Sequence, residues 1–192
     1  MVRSGRRDRL SAEDWQRAAV EAIAEGGVAA VAVEPLARRL GVTKGSFYAH
    51  FGNRAELVQR ALDYWVEAHV GGELTALAEI SDPAQRLRRI VDTAFRFAHR
   101  DAPSAQISLL GELGDARVRD AVTRVNTART ALIAATYHEL GLGAEEAQRR
   151  AQLVYSTYLG ALQLSRSDPD HRAAGAALDA LIEHALRLYL PR

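Results

Sequence analysis

The stretch Gly41-Val42-Thr43-Lys44-Gly45-Ser46-Phe47-Tyr48-Ala49-His50-Phe51 constrains this chain more than any other. Ahead of it, Leu36, Ala37 and Leu40 recur at helical spacing. Gly41 is placed to end that helix in the left-handed conformation, where a residue without Cβ meets no clash. Thr43 is expected to cap a second helix whose first turn holds Lys44, Gly45 and Ser46. Such a turn offers unpaired backbone N–H groups, the positive end of a helix dipole, a cation and a small hydroxyl. That set suits phosphates or base edges. Phe47 and Phe51, four apart, share a face and are expected to pin the helix to its domain. Tyr48 and His50 point elsewhere, each with a hydrogen-bonding tip. The pattern predicts a helix-turn-helix with its recognition helix at 44–50.

The run from Gly27 to Leu57 carries Leu36-Ala37, Leu40-Gly41-Val42-Thr43, Gly45-Ser46-Phe47-Tyr48, His50-Phe51, Asn53-Arg54 and Glu56-Leu57 in one fixed register. It closely resembles the DNA-binding signature of the TetR (tetracycline-repressor-like) transcriptional regulators. The resemblance implies that Thr43, Lys44, Ser46 and Tyr48 meet the groove or phosphates. It also implies that His50 and Arg54 clamp phosphates and that Gly45 lets the backbone approach DNA. Val42, Phe47, Phe51 and Leu57 then belong to the core. Two residues depart from the pattern. Ala32 stands where the family often has a Ser or Thr that caps the second helix, and Glu34 puts a negative charge near the expected DNA path. Both shift the expected burden onto Arg54 and a basic N-terminal arm, with Arg6 and Arg7 as its candidate contacts. That arm reads equally as a solubilising tail or as a phosphate or minor-groove contact.

Charge is distributed accordingly. Residues 1–60 hold ten Lys/Arg against seven Asp/Glu, and the remainder fifteen against seventeen. Lys44 is the only lysine of the chain. The absence of cysteine removes disulfides, thiolate nucleophiles and cysteine-based zinc sites. No apolar run approaches the roughly 20 residues that span a bilayer, so a soluble protein is expected, and the resemblance implies a cytoplasmic, nucleoid-associated one. No phosphate-binding glycine loop, nucleophile elbow or His-x-x-x-His pair appears, and neither an enzyme, a metal nor a cofactor is expected.

Downstream, local signals predict helices at about 12–25, 54–78, 83–100, 115–140, 144–165 and 172–190, with a short one between Pro103 and Gly114. Ser11-Ala-Glu-Asp14 reads as a capping box, Gly71-Gly72 as a kink, and 28–33 as an apolar connection running into a helix. The fold class expected is all-α, about nine helices. A helix-turn-helix domain at 1–55 precedes a helical effector-binding and dimerisation domain at 56–192. The last two helices are apolar over more than one neighbour's width. Tyr155, Leu159, Leu162, Leu178, Leu181, Ile182 and Ala185 are the candidate homodimer contacts.

Effector binding is implied by the resemblance alone. Phe95, His99, Gln106, Tyr137, Tyr155 and Tyr158 combine ring faces with polar tips and are the candidate lining, mainly apolar and neutral, for a small hydrophobic or aromatic molecule. The expected function is that of a dimeric, sequence-specific regulator, a repressor released from a palindromic operator in double-stranded DNA. A regulator without a small-molecule effector, and a helical enzyme or scaffold that never meets DNA, remain as alternatives.

Overall fold

A computed structural model of the chain describes residues 10–191. The arm residues Arg6 and Arg7 lie outside the described residues. Every regular element among them is helical. Helix α1 (Ala12–Gly26) opens with the expected capping box. Ser11 Oγ accepts from the Asp14 N–H, and the Asp14 carboxylate accepts from the Ser11 N–H. A 3-10 turn at Val28–Ala30 leads into α2 (Val33–Arg39) and α3 (Lys44–Tyr48). Gly41 takes φ +69° and closes α2, with its own N–H on the Arg38 carbonyl and the Val42 N–H on the Ala37 carbonyl. The same pair of bonds recurs at Gly141, φ +93°, behind α8 (Ala116–Glu139).

Helix α4 (Arg54–Glu67) passes through a π-helical turn (Ala68–Leu74) into α5 (Thr75–Ala78). The break expected at Gly71-Gly72 is therefore a widening, which keeps the helical run continuous. Asp82 caps α6 (Pro83–Ala98), with Pro83 in the first turn, where no N–H is missed. A short α7 (Ala105–Leu110), α8, α9 (Ala144–Ser167) and α10 (Gly175–Tyr189) complete the chain. With α4 to α5 taken as one run, the described residues hold nine helices.

The chain forms two compact units. The first comprises residues up to Trp65 together with Pro103–Arg119. It thus extends beyond the boundary expected after residue 55, because α7 packs on α1. Ser108 Oγ of α7 donates to the Ala24 carbonyl of α1. Trp15, Phe47 and Phe51 form its aromatic centre, with Trp15 edge-on to Phe47 at 5.5 Å and Phe47 stacked on Phe51 at 5.5 Å. The second unit comprises Val66–Ala102 and Asp120–Arg192, and α6 packs there against α9 and α10.

Burial within the single chain divides the expected dimer residues. Tyr155, Leu162, Leu178, Ile182 and Ala185 are buried within the single chain, and Leu159 is half-buried. Only Leu181 of that set is exposed. The apolar side chains that face solvent on these helices are Leu153 and Leu164 of α9, with Leu181 and Leu188 of α10.

Gly27 gives a direct test of the first unit. It has φ +71°, and a Cβ there would lie 2.0 Å from Glu112 Oε1, the atom that accepts the Val28 N–H at 2.8 Å. Gly27→Ala must therefore strain the backbone and displace that carboxylate. It is expected to destabilise the unit by about 1–3 kcal/mol, read as a Tm lower by several degrees. An unchanged Tm would show that the turn tolerates a side chain.

Candidate nucleic-acid interface and effector pocket

The turn between α2 and α3 is presented by packing beneath it. Phe47, fully buried against Trp15 and Phe51, faces inward from α3, as do Leu36 and Ala37 from α2. The opposite side of α3 is left to solvent. Thr43, Lys44, Gly45 and Tyr48 are exposed, Tyr48 by 58%, while Ser46 and His50 are half-buried. Five of the expected contacts, Thr43 to Ser46 and Tyr48, thus follow one another along one surface. Thr43 is at the N-cap position, but its side chain makes no capping bond. The hydroxyl expected to close the helix is not used for that.

Lys44 Nζ lies 3.0 Å from Glu34 Oε1, with both side chains more than half exposed. The hydrogen bond and the charge pairing hold the Glu34 carboxyl below its usual range and raise the Lys44 ammonium. The acid that looked misplaced in the sequence therefore partners the only lysine of the chain. On the other face of α2, Arg39 pairs with Glu25 of α1 at 2.5 Å.

Arg54, expected as a phosphate clamp, also holds the turn ahead of α2. Its Nε donates to the Val31 carbonyl and its Nη2 to the Val28 carbonyl, each at 2.5 Å. Glu112 accepts from the other end of the same turn, at the Val28 N–H. Neither role was legible locally, because both partners lie far away in sequence. Ala32, at the N-cap of α2, makes no side-chain cap.

The second unit contains a pocket with about 570 Å³ of empty space, part of it open to solvent. Of the six expected lining residues, Tyr155 and Tyr158 are there. Phe95 is core. Tyr137 is fully buried and donates to the Tyr189 carbonyl at 2.9 Å, and burial pushes its hydroxyl up to about 12. His99 Nδ1 accepts from the Ala173 N–H at 3.1 Å and lies 3.1 Å from Ser165 Oγ. Burial lowers its imidazole from the ordinary histidine value. Gln106 belongs to the first unit, buried.

The lining is also less neutral than expected. It includes His69, Glu73 and Arg129 beside aliphatic Leu74, Leu77 and Ile90. The hydrogen bond from His69 lowers the Glu73 carboxyl, with Arg129 acting the same way against the opposing effect of burial. A signal for Arg129 existed in the sequence. It falls four residues after Val125 and four before Ile133, on the inward stripe of α8.

A family model described as "Bacterial regulatory proteins, tetR family" matches residues 17–61. The HTH-type transcriptional activator FasR of Mycolicibacterium smegmatis is 35% identical over 85 residues, which are 44% of this chain and 39% of FasR. The matched stretch thus spans about two fifths of that relative. Among solved structures, reduced NemR of E. coli superposes with a TM-score of 0.75 at 18% identity, over 94% of this chain and 98% of NemR. FadR of Bacillus subtilis, in complex with stearoyl-CoA, gives 0.65 at 18% identity over 93% and 97%. At such identities these likenesses establish the fold, whereas the helix-turn-helix match rests on sequence as well. Residues 17–61 thus carry the helix-turn-helix signature of the tetR family, set in the all-helical fold that these regulators share.

Proposed function

We propose that the chain is a dimeric, sequence-specific DNA-binding transcriptional regulator of the cytoplasm and nucleoid. It binds rather than catalyses. The observation that carries this is the exposed surface of Thr43, Lys44, Gly45 and Tyr48, with half-buried Ser46 among them, packed on Phe47 beneath. Phosphate contacts position such a helix, and one or two side chains at 44–48 read bases. One short helix reads too few bases alone. A twofold dimer reads two half-sites about 34–36 Å apart, one turn of the double helix. The dimer surface is α9 and α10, through Leu153, Leu164, Leu181 and Leu188.

The regulator acts as a repressor that an effector releases from a palindromic operator. Support for an effector comes from the pocket of the second unit, and from FadR, whose structure holds stearoyl-CoA. The effector binds better to a conformation in which the recognition helices are wrongly spaced. The shift it produces is bounded by its differential affinity for the two states. FasR is an activator, so a reporter assay with the operator fixes the sign of regulation.

The primary test selects binding sites from a randomised DNA pool and measures affinity against salt. A palindrome is expected to emerge, with log affinity falling steeply with log salt. No enrichment at low salt would end the regulator reading. The Lys44–Glu34 pair makes a sharper expectation. Lys44→Ala should weaken binding across all sequences and flatten the salt slope by about one per half-site, whereas Glu34→Gln should strengthen binding. Equal affinities for the two variants would remove Lys44 from the interface. For the dimer, Leu153→Glu with Leu188→Glu is expected to give a folded monomer by sedimentation, with operator affinity reduced. A dimer that survives both charges would place the interface elsewhere.

A further inference from the structure

The pocket of the second unit contains a buried cation with an unused edge. The Arg129 side chain is 11% exposed. Its Nη2 lies 3.1 Å from His69 Nδ1 and 3.3 Å from Glu73 Oε2. Its Nη1 is buried and has no hydrogen-bond partner. Glu73 Oε2 is shared with His69, 2.9 Å away, and the Glu73 side chain is 37% exposed, so solvent screens its charge. The Tyr158 ring takes the face of the guanidinium, 5.5 Å from its centre, and the Tyr155 and Tyr158 hydroxyls are neutral neighbours of the same cation. The rest of the wall is mostly aliphatic and aromatic, including Leu77, Ile90, Phe97 and Leu132. The π-helical turn at Ala68–Leu74 brings His69, Glu73 and Leu74 to the lining, and such turns recur at functional sites.

Buried donors left unpaired are costly, and a planar guanidinium matches a carboxylate better than any neutral oxygen. We propose that this pocket binds an apolar molecule that ends in a carboxylate, with Arg129 Nη1 holding the acid group and the aliphatic and aromatic walls holding the tail. The proposal rests on the reading of the second unit as the effector-binding part, and it names the chemical class of that effector. An alcohol of equal length satisfies one hydrogen bond but not the charge. An amine meets the guanidinium with the wrong sign.

The test uses the purified full chain without DNA and titrates octanoate, octanol and octylamine by calorimetry. Octanoate is expected to bind about tenfold or more tightly than octanol, with octylamine weakest, for a difference in charge-assisted bonding of this kind. Arg129→Met should remove that preference while octanol binding persists. Octanoate and octanol binding equally, octylamine binding best, octanoate binding unaltered by Arg129→Met, or none of the three binding would each overturn the assignment. The three-ligand comparison on the unmodified chain stands even if the variant does not fold. DNA binding is assayed separately. An acid held by Arg129 that fails to release DNA would refute effector control and leave this assignment intact.

Discussion

The turn at residues 27–32 is composed of apolar residues that must still satisfy their backbone. Its N–H and C=O groups are partly buried, and Val28, Ala29, Ala30, Val31 and Ala32 supply no side chain able to bond them. Partners arrive from elsewhere, and with the right charges. The Glu112 carboxylate takes the Val28 N–H at the start, and the Arg54 guanidinium takes the Val28 and Val31 carbonyls at the end. Charge-assisted bonds of this type are the stronger ones. Helix α2 follows at once and has no side-chain cap of its own. Its starting point is therefore set by Arg54, at the first position of α4, and by Glu112 behind α7. Where α2 starts fixes where Gly41 turns, and Gly41 fixes α3. The placement of the recognition helix within its unit thus depends on a clamp formed by two residues outside the helix-turn-helix.

This dependence explains what the sequence disclosed. Signals whose cause lies within a few residues were readable. Ser11 and Asp14 bond each other, and Gly41 adopts positive φ. Helix boundaries accordingly fall within a few residues of expectation. Signals whose cause is distant were not. Glu112 lies 84 residues from Val28, and nothing near Glu112 announces its partner. Arg54 was read from its place in a DNA-binding signature, yet its bonds in the folded chain run to Val28 and Val31. Thr43 shows the limit of even local reasoning. Its residue type suits a cap, but the hydroxyl makes no such bond.

The terminal helices teach a related point about amphipathic width. Apolar breadth on α9 and α10 does not by itself say which stripe faces which partner. The residues with the widest apolar support, such as Leu162, Leu178 and Ile182, are consumed by the chain's own core. The surplus appears at Leu153, Leu164, Leu181 and Leu188, whose exposure no local pattern in the sequence announces. Tyr155, ranked for both the pocket and the dimer, turns out to line the pocket.

The two candidate sites share one electrostatic arrangement with different consequences. In each, a cation is held by an acid of its own unit: Lys44 by Glu34, and Arg129 by Glu73. The first pair is exposed on both sides, so solvent screens it and the ammonium exchanges partners at little cost. Such a pair lowers attraction for anions in general and yields only where a phosphate is positioned to replace the carboxylate. In the second pair only the cation is withdrawn from water, since the Glu73 side chain is 37% exposed. Arg129 need not separate from Glu73, because its Nη1 edge stays open while Nη2 remains engaged. An exposed, exchangeable cation suits a polymer read at many points, each weak. A buried cation with one open edge suits a single small anion, recognised once. Residue type alone would have grouped Lys44 and Arg129 together. Burial and hydrogen-bond occupancy distinguish them.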